Sequence, residues 1–497
     1  MASVAPFIPP HPADPRGSFQ PLSPGRTLAL AVTAVATFHA GFLVPTLGWL
    51  VLVWMGCLFA LRRVPCGRWA FYVGLVIGLG TYGPQLAFFW TIFGPAAIAL
   101  WLVLSFWLGC FLLVLHGVER YWGGSWAVGL SPVLWLGVEF FRSELYYLRF
   151  SWFTAGSFLP PEVTWPLLPV LGVYGLGALL ALGAAWIARR FESRPVFSLP
   201  RWRTVAALTG LAAVGFFIAF LLSSPRLSPP TDLPVAGLQL EFPGPAEVID
   251  HLRRLDRSHP EARVVVLSEY AFDGPVPDGI REWCRETRRW LIAGGKEPVE
   301  GGGFYNTAYV VSTNGEVVFQ QAKSVPIQFF QDGLPAPDQR VWNSPWGRLG
   351  ICICYDLNYT RVVDELIRLG ATALIVPTMD VESWGRHEHR LNARLAPIRA
   401  AEHRVPLLRV ASSGFSQLID RQGGVKATTS MPGQGEILAG ALRLDPTTRA
   451  ALPWDRVLGP VAAGVGGVIA LLLLRAQYRR RPAVHPFPQS TPQPISP

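Results

Sequence analysis

Gly350-Ile-Cys-Ile-Cys354-Tyr355-Asp356-Leu-Asn358 is the stretch from which the rest of the chain is best read. Its apolar alternation after Gly347 predicts a strand over 349–355, and alternation then sets Cys352 and Cys354 on one face. Cys352 lies between isoleucines and reads as core, where cysteine behaves as a small hydrophobe. Cys354 stands at the polar end of the run, beside Asp356. A thiol in that position is a strong nucleophile when a neighbouring cation or base lowers its pKa.

Two further stretches, both earlier in the chain, supply such neighbours. Val264-Val-Val-Leu-Ser-Glu269 sets a carboxylate just past four apolar strand residues. Desolvation there raises a carboxyl pKa towards the range of a general base, whereas an exposed strand end would leave it ordinary. Val317-Val-Phe-Gln-Gln-Ala-Lys323-Ser-Val-Pro326 ends a second strand on a lysine. Alone, such a lysine is a solvated charge; beside a Glu and a Cys it is a cation able to hold a tetrahedral oxyanion. All three side chains fall at or near strand ends, where α/β sheets build their sites.

Around them, β-branched runs bounded by Gly and Pro predict strands at 235–242, 264–269, 290–294, 307–313, 316–321, 349–355, 373–377 and 407–411. Helices are expected at 245–257, 278–289, 359–369 and 386–403. This alternation describes a layered α/β domain over 224–456, entered through a Pro-rich linker and containing no internal repeat.

The remainder of the chain has another character. The 497 residues are 51% hydrophobic and only 15% charged, with 19 Trp and 29 Phe, and the mean hydropathy is +0.32. That balance describes a membrane protein. Apolar stretches at 27–43, 46–61, 70–91, 96–116, 125–141, 163–188, 204–223 and 457–475 are candidate spans, the first two short and joined at Val44-Pro45. Arginines cluster before the first (Arg16, Arg26), after the second (Arg62, Arg63, Arg68), between the sixth and seventh (Arg189, Arg190, Arg194, Arg201, Arg203) and after the last (Arg475, Arg479, Arg480, Arg481). With eight spans all four clusters fall on the cytoplasmic side, which puts the loop 142–162 and the α/β domain outside. The expected organisation is a tail at 1–25, a transmembrane domain at 26–223, the α/β domain at 224–456, a final span at 457–475 and a Pro/Ser/Gln-rich tail at 476–497. The net charge of +10 is explained by topology and anionic lipid rather than by nucleic acid. The six cysteines match no zinc spacing and no disulfide framework.

The order Glu269, Lys323, then Cys354 in Ile-Cys-Tyr-Asp resembles the nitrilase superfamily. Joined to about eight spans, it is similar to the apolipoprotein N-acyltransferase family, the membrane-bound branch of that superfamily, over 27–475. Further stretches agree: Val138-Glu139-Phe-Phe-Arg142, Arg149-Phe-Ser-Trp152, Pro377-Thr-Met-Asp380 with Trp384-Gly, Arg399-Ala-Ala-Glu402 through Arg409, and Ser413-Gly414. The resemblance implies a multi-span α-helical membrane domain plus an αββα sandwich, with Glu269 as base, Lys323 as electrostatic stabiliser and Cys354 as nucleophile. It implies a phospholipid acyl donor and a lipoprotein amine as acceptor at a bacterial inner membrane, with no cofactor, metal or nucleic acid. Tyr355, Asp356, Trp384, Glu139 and Arg142 become candidate supporting residues. Two departures stand out. The family carries a second Glu past the Pro that follows the Lys, where this chain offers Gln328 or Asp332, and Asp356 stands where the family more often has Glu. The departures leave open a membrane-tethered amidase or an acyltransferase for another amine.

Overall fold

The computed structural model describes residues 20–192, 231–445 and 452–479. The expected span at 204–223, the linker up to 230, and most of both tails lie outside the described residues.

The first part is helical. Ser23 caps α1 (Pro24–Leu43) by accepting the Arg26 N–H, and Pro24 takes the first helical position, where no donor is needed. A 3₁₀ turn at Pro45–Leu50 leads into α2 (Val51–Leu61), followed by α3 (Gly67–Gln85) and the short α4 (Phe89–Phe93). The stretch expected as one span over 70–91 is therefore broken, because the chain leaves helical geometry at Leu86, shortly after Pro84. Then come α5 (Ala96–Trp122), α6 (Gly124–Phe140) with a widened turn at Phe141–Leu145, the one-turn α7 (Pro161–Thr164) and α8 (Leu168–Glu192). Near its start α8 breaks at Gly172, whose φ is 72°.

Among the described residues five helices are long and apolar enough to cross a bilayer: Pro24–Leu43, Ala96–Trp122, Gly124–Leu145, Leu168–Phe191 and Asp455–Gln477. Their outward faces carry bare apolar side chains such as Leu28, Val32, Val468 and Leu471. The protein is a multi-pass membrane protein. Small residues bring α3 and α5 together: a Cβ on Gly74 would lie 2.8 Å from the Gly109 Cα.

The α/β domain has twelve strands. They are β1 (Thr231–Leu238), β2 (Val264–Leu267), β3 (Trp290–Pro298), β4 (Phe304–Val311), β5 (Val317–Ala322), β6 (Val341–Ser344), β7 (Gly347–Ile351), β8 (Ala373–Thr378), β9 (Leu407–Ala411), β10 (Gln417–Ile419), β11 (Val425–Thr428) and β12 (Ile437–Leu444). Two six-stranded sheets form, ordered β12-β1-β2-β3-β4-β5 and β11-β10-β9-β8-β7-β6. Val235, Val264, Val266 and Ile292 of the first face Ile351, Ile375, Leu408 and Val410 of the second, making the inner core. The outer face of the first sheet packs on α9 (Pro245–Ser258) and α10 (Asp278–Thr287) through Val248, Leu252, Ile280 and Trp283. That of the second packs on α11 (Thr360–Arg368) and α13 (Leu395–His403). The result is the four-layered αββα sandwich.

Eight strands and three of the four expected helices of this domain follow the sequence reading, with shifted ends. The expected helix 386–403 is instead two, α12 (Arg386–Ala393) and α13, and β6, β10, β11 and β12 were not anticipated.

A buried charge cluster ties the two parts together. The final helix, α14 (Asp455–Arg479), carries Arg456 in its first turn, whose guanidinium reaches Glu402 on α13 at 3.2 Å and Asp364 on α11 at 3.0 Å. Arg399 holds the same Glu402 oxygen at 2.6 Å, and the other oxygen accepts the Val173 N–H of α8 at 2.7 Å. Burial alone would raise the Glu402 pKa, but Arg456 and Arg399 outweigh it and hold the carboxyl at about 2.

Removing one member of such a buried cluster strands the others. Glu402→Gln is expected to cost about 3–5 kcal/mol of stability, measured by thermal unfolding of the purified full chain. Because the folded pKa of Glu402 lies below that of a free carboxyl (~4.3), its contribution is present above that pH and lost as pH falls. The gap between wild type and variant should therefore close as pH is lowered from about 5 towards 2.

Candidate active site

Glu269 follows β2 after one residue, Ser268, whose hydroxyl donates to the Leu240 carbonyl at 2.8 Å. The neighbouring strand must come very close: a Cβ on Gly294 of β3 would stand 2.6 Å from the Glu269 Cα. Glycine there lets the carboxylate sit under the sheet edge, only 2% exposed. Lys323 directly follows β5 and is fully buried. Its Nζ lies 2.8 Å from Glu269 Oε1 and 2.7 Å from Asp332 Oδ2. Asn306 of β4 donates to both acids, at 2.6 Å to Glu269 and 3.0 Å to Asp332. Asp332 also accepts the Ile327 N–H at 2.7 Å and the Tyr270 hydroxyl at 2.8 Å.

Cys354 departs from the sequence expectation in detail. Strand β7 ends at Ile351, and Cys354 opens a tight helical turn, Cys354–Asn358, with a φ of 48°. The strand period no longer applies past Ile351. Cys352 packs against the outer helices, while Cys354 lies with the inner core and the cavity described below. A non-glycine residue in left-handed geometry is costly and persists where its surroundings impose it. Asp356 does so here: its carboxylate accepts the N–H groups of Ile353 (3.2 Å), Ser324 (3.1 Å) and Val325 (2.7 Å). It thereby joins the cysteine turn to the segment that follows Lys323.

Glu269 and Cys354 share Met379 as a neighbour. The Met379 N–H donates to Glu269 Oε2 at 2.8 Å, and the Cys354 thiol points at the Met379 carbonyl 3.8 Å away. Electrostatics couple all three groups. Burial raises the Glu269 pKa, Lys323 lowers it and Asp332 raises it again, with a net rise. Burial would lower Lys323, but Glu269 and Asp332 hold its pKa well above the ordinary value. Burial and Glu269 push the Cys354 thiol well up against the pull of Lys323. The resting site is a neutral thiol beside an ammonium with two carboxyl groups. Asp356 is pushed up to about 6 by burial, against Lys323 and its three N–H donors.

Cys354 opens onto a cavity of about 130 Å³ between the two parts of the molecule. The α/β domain contributes Tyr355, Tyr359, Trp384 and the segment Ile327, Gln328, Phe329 and Phe330. The helical part contributes Phe88, Phe93, Leu100 and Leu104 of α4, α5 and their approach, together with Arg149–Phe150 and Trp152. Phe330 bridges the two walls, 5.5 Å from Phe93 and 6.1 Å from Trp384 between ring centres. Glu388 of α12 reaches the same wall, its carboxyl pushed well up by burial and by Asp380.

Of the two candidates for the missing second acid, Asp332 sits against Lys323, whereas Gln328 donates to the Tyr147 carbonyl at 2.8 Å. Glu139 and Arg142 do not line this cavity. Glu139 accepts the Ala155 N–H at 2.7 Å, and Arg142 donates to the carbonyls of Phe150, Trp152 and Phe153. They shape the loop whose aromatic side chains do line it. Sequence reasoning passed over Asn306, although an Asn inside a strand is a disfavoured choice that signals a special role. Met379 acts through its backbone, which carries no residue signature. Among the described residues no group of three or more His, Cys, Asp or Glu is arranged to hold a metal ion.

Comparison with known proteins agrees with this architecture. Residues 245–450 match the carbon-nitrogen hydrolase family. The chain is 26% identical to the apolipoprotein N-acyltransferase of Nitrosomonas europaea, over 80% of its own length and 86% of the relative's. It is 25% identical to that of Geobacter metallireducens, over 85% and 90%. A shorter match, 26% identical over 28% of this chain and 53% of the relative, joins it to the deaminated glutathione amidase of Dictyostelium discoideum. The chain is thus an enzyme of the carbon-nitrogen hydrolase superfamily and a homologue of the apolipoprotein N-acyltransferases.

Proposed function

We propose that the protein moves an acyl chain from a membrane phospholipid, through a thioester on Cys354, to the N-terminal amine of a diacylglyceryl-cysteine lipoprotein. The observation that carries this reading is the cavity beside Cys354, whose wall includes the apolar side chains Phe89, Ile92, Phe93, Leu100, Val103 and Leu104 of α4 and α5. Each buried CH₂ contributes ~0.8 kcal/mol, so an acyl chain partitions into such a wall without leaving apolar surroundings.

In the first half-reaction Glu269 takes the thiol proton and Sγ attacks the ester carbonyl carbon. The oxyanion is held by Lys323 and a backbone N–H near Tyr355. The C–O bond to the glycerol oxygen then breaks, and the lysophospholipid leaves with the proton from Glu269. In the second half the amine attacks the thioester, Glu269 again takes a proton, and the C–S bond breaks to return the thiol. Asp332 acts in the role of the second acid, fixing Lys323 from the side opposite Glu269. The arginine clusters of the helical part support a bacterial cytoplasmic membrane with this domain on the outer side. A second reading, a membrane-tethered amidase or an acyltransferase for a different amine, draws support from the amidase match. Mass spectrometry of lipoprotein N-termini in a deletion strain separates the two, since unchanged triacylation would favour the second.

Cys354→Ser should abolish both the labelled acyl-thioester and N-acylation in membranes supplied with radiolabelled phospholipid. Persistence of either removes Cys354 from the mechanism. Lys323→Met should lower the acylation rate by ~10²–10³, the usual effect of losing one oxyanion donor. It should also slow alkylation of Cys354 by iodoacetamide at fixed pH, because the lysine is what pulls the thiol pKa down. Exposed Cys66 provides the internal reference for that rate. Asp332→Asn removes a charge that raises the Glu269 pKa, so Glu269 stays ionised to lower pH. The acid limb of the kcat/KM profile should shift to lower pH; a limb that does not move would exclude Glu269 as the titrating base.

A further inference from the structure

A second large cleft lies between the two parts of the molecule, on the other side of α12, and shares no lining residue with the cavity beside Cys354. One wall is apolar and belongs to the membrane part: Phe42 and Leu43 at the end of α1, Pro45, Phe158 and Pro161. The other wall is basic. Arg386, Arg390 and Arg394 recur at intervals of four, which sets them along one helical face. The three arginines differ in what they touch. Arg394 is committed to the fold: it donates to the carbonyls of Ser157 and Phe42 at 2.9 and 2.8 Å, with its guanidinium 4.1 Å from the Phe42 ring centre. Arg386 and Arg390 are exposed, and among the described residues neither has a carboxylate within ion-pair distance. Arg386 lies over the Phe415 ring, 5.7 Å from its centre. Glu162 is the lone acid of the lining.

Like charges at i,i+4 on a helix repel one another. Three of them in a cleft with one carboxylate form an arrangement that an anion stabilises. The place of the cleft in the molecule and its opposite wall say which anion. It lies at the end of a helix long enough to span a bilayer, where headgroups sit, and its facing wall accepts hydrocarbon. We propose that this cleft binds an anionic phospholipid, its phosphate against Arg386 and Arg390 and its chains along Phe42, Leu43 and Phe158, as a resident lipid distinct from any that reacts at Cys354. The inference rests on the membrane placement of the helices and not on the acyl-transfer reading.

The test is native mass spectrometry of the purified full chain in a non-ionic detergent, titrated with phosphatidylglycerol or phosphatidylcholine. The wild type should retain one phosphatidylglycerol in preference to phosphatidylcholine, and added NaCl should weaken that retention. At about fivefold per arginine near a charged surface, Arg386→Ala with Arg390→Ala should weaken it by about thirtyfold. Thermal unfolding of the double variant reports whether the fold is intact; if it is not, the exposed Arg386→Gln alone, expected to weaken retention about fivefold, takes its place. Glycerol 3-phosphate at the same concentration should fail to displace the lipid. Equal retention of the two lipids by the wild type, or undiminished retention by a folded double variant, overturns the proposal. Full displacement by glycerol 3-phosphate would reassign the cleft to a soluble phosphate ester and overturn it equally.

Discussion

The buried cluster of Arg456, Glu402 and Arg399 is the constraint on which the rest of this molecule depends. It draws the first turn of α14, the α13 and α11 helices of the sandwich and the broken start of α8 onto one carboxylate. Taking these charges out of water costs several kcal/mol per ion. What offsets that cost is near-complete pairing: Arg399 also donates to the carbonyls of Leu357 and Asn358, and Asp455 accepts the Tyr174 N–H. A cluster satisfied in only one geometry fixes how the sandwich sits on the helices. Leu357 and Asn358 belong to the same turn as Cys354. The joint between the two parts and the turn that carries Cys354 are therefore one continuous structure.

The site repeats the same logic on a smaller scale. Lys323 is fully buried and would be untenable alone; Glu269 and Asp332 make it tenable, and Asn306 holds both acids in register. The geometry keeps a permanent cation next to Cys354 without exposing it to water, where its field would be screened. Asp356 completes the frame by binding three N–H groups from two separate segments. Its carboxylate ties a backbone that is strained at Cys354 to the strand end that delivers the lysine.

The two clefts flanking α12 give that short helix a double position. Glu388 and Asn392 look into the cavity beside Cys354, and Arg386 and Arg390 into the basic cleft. Both clefts take one wall from the sandwich and one from the membrane part, so each exists because the domain is docked.

Local pattern was enough to reveal the membrane character of the helical part and eight of the twelve strands, and to single out Glu269, Lys323 and Cys354 as candidates. Apolar run length, alternation and a reactive side chain at a strand end are all written within a few neighbouring residues. The features that escaped depend on partners far along the chain. β12 pairs with β1 across two hundred residues, and β10 and β11 are short edge-side strands with weak apolar signal. That Asp332 rather than Gln328 meets Lys323 is decided by how the segment after Pro326 folds back. That Glu139 and Arg142 brace a loop instead of entering the cavity is decided by backbone carbonyls and an N–H, to which sequence is blind. The turn that re-aims Cys354 comes from Asp356 capturing N–H groups of another segment, a tertiary event that overrides the strand period. Residue types establish which chemistry is available; three-dimensional closure alone decides which groups share a low-dielectric pocket, because only there do charges tens of residues apart feel one another.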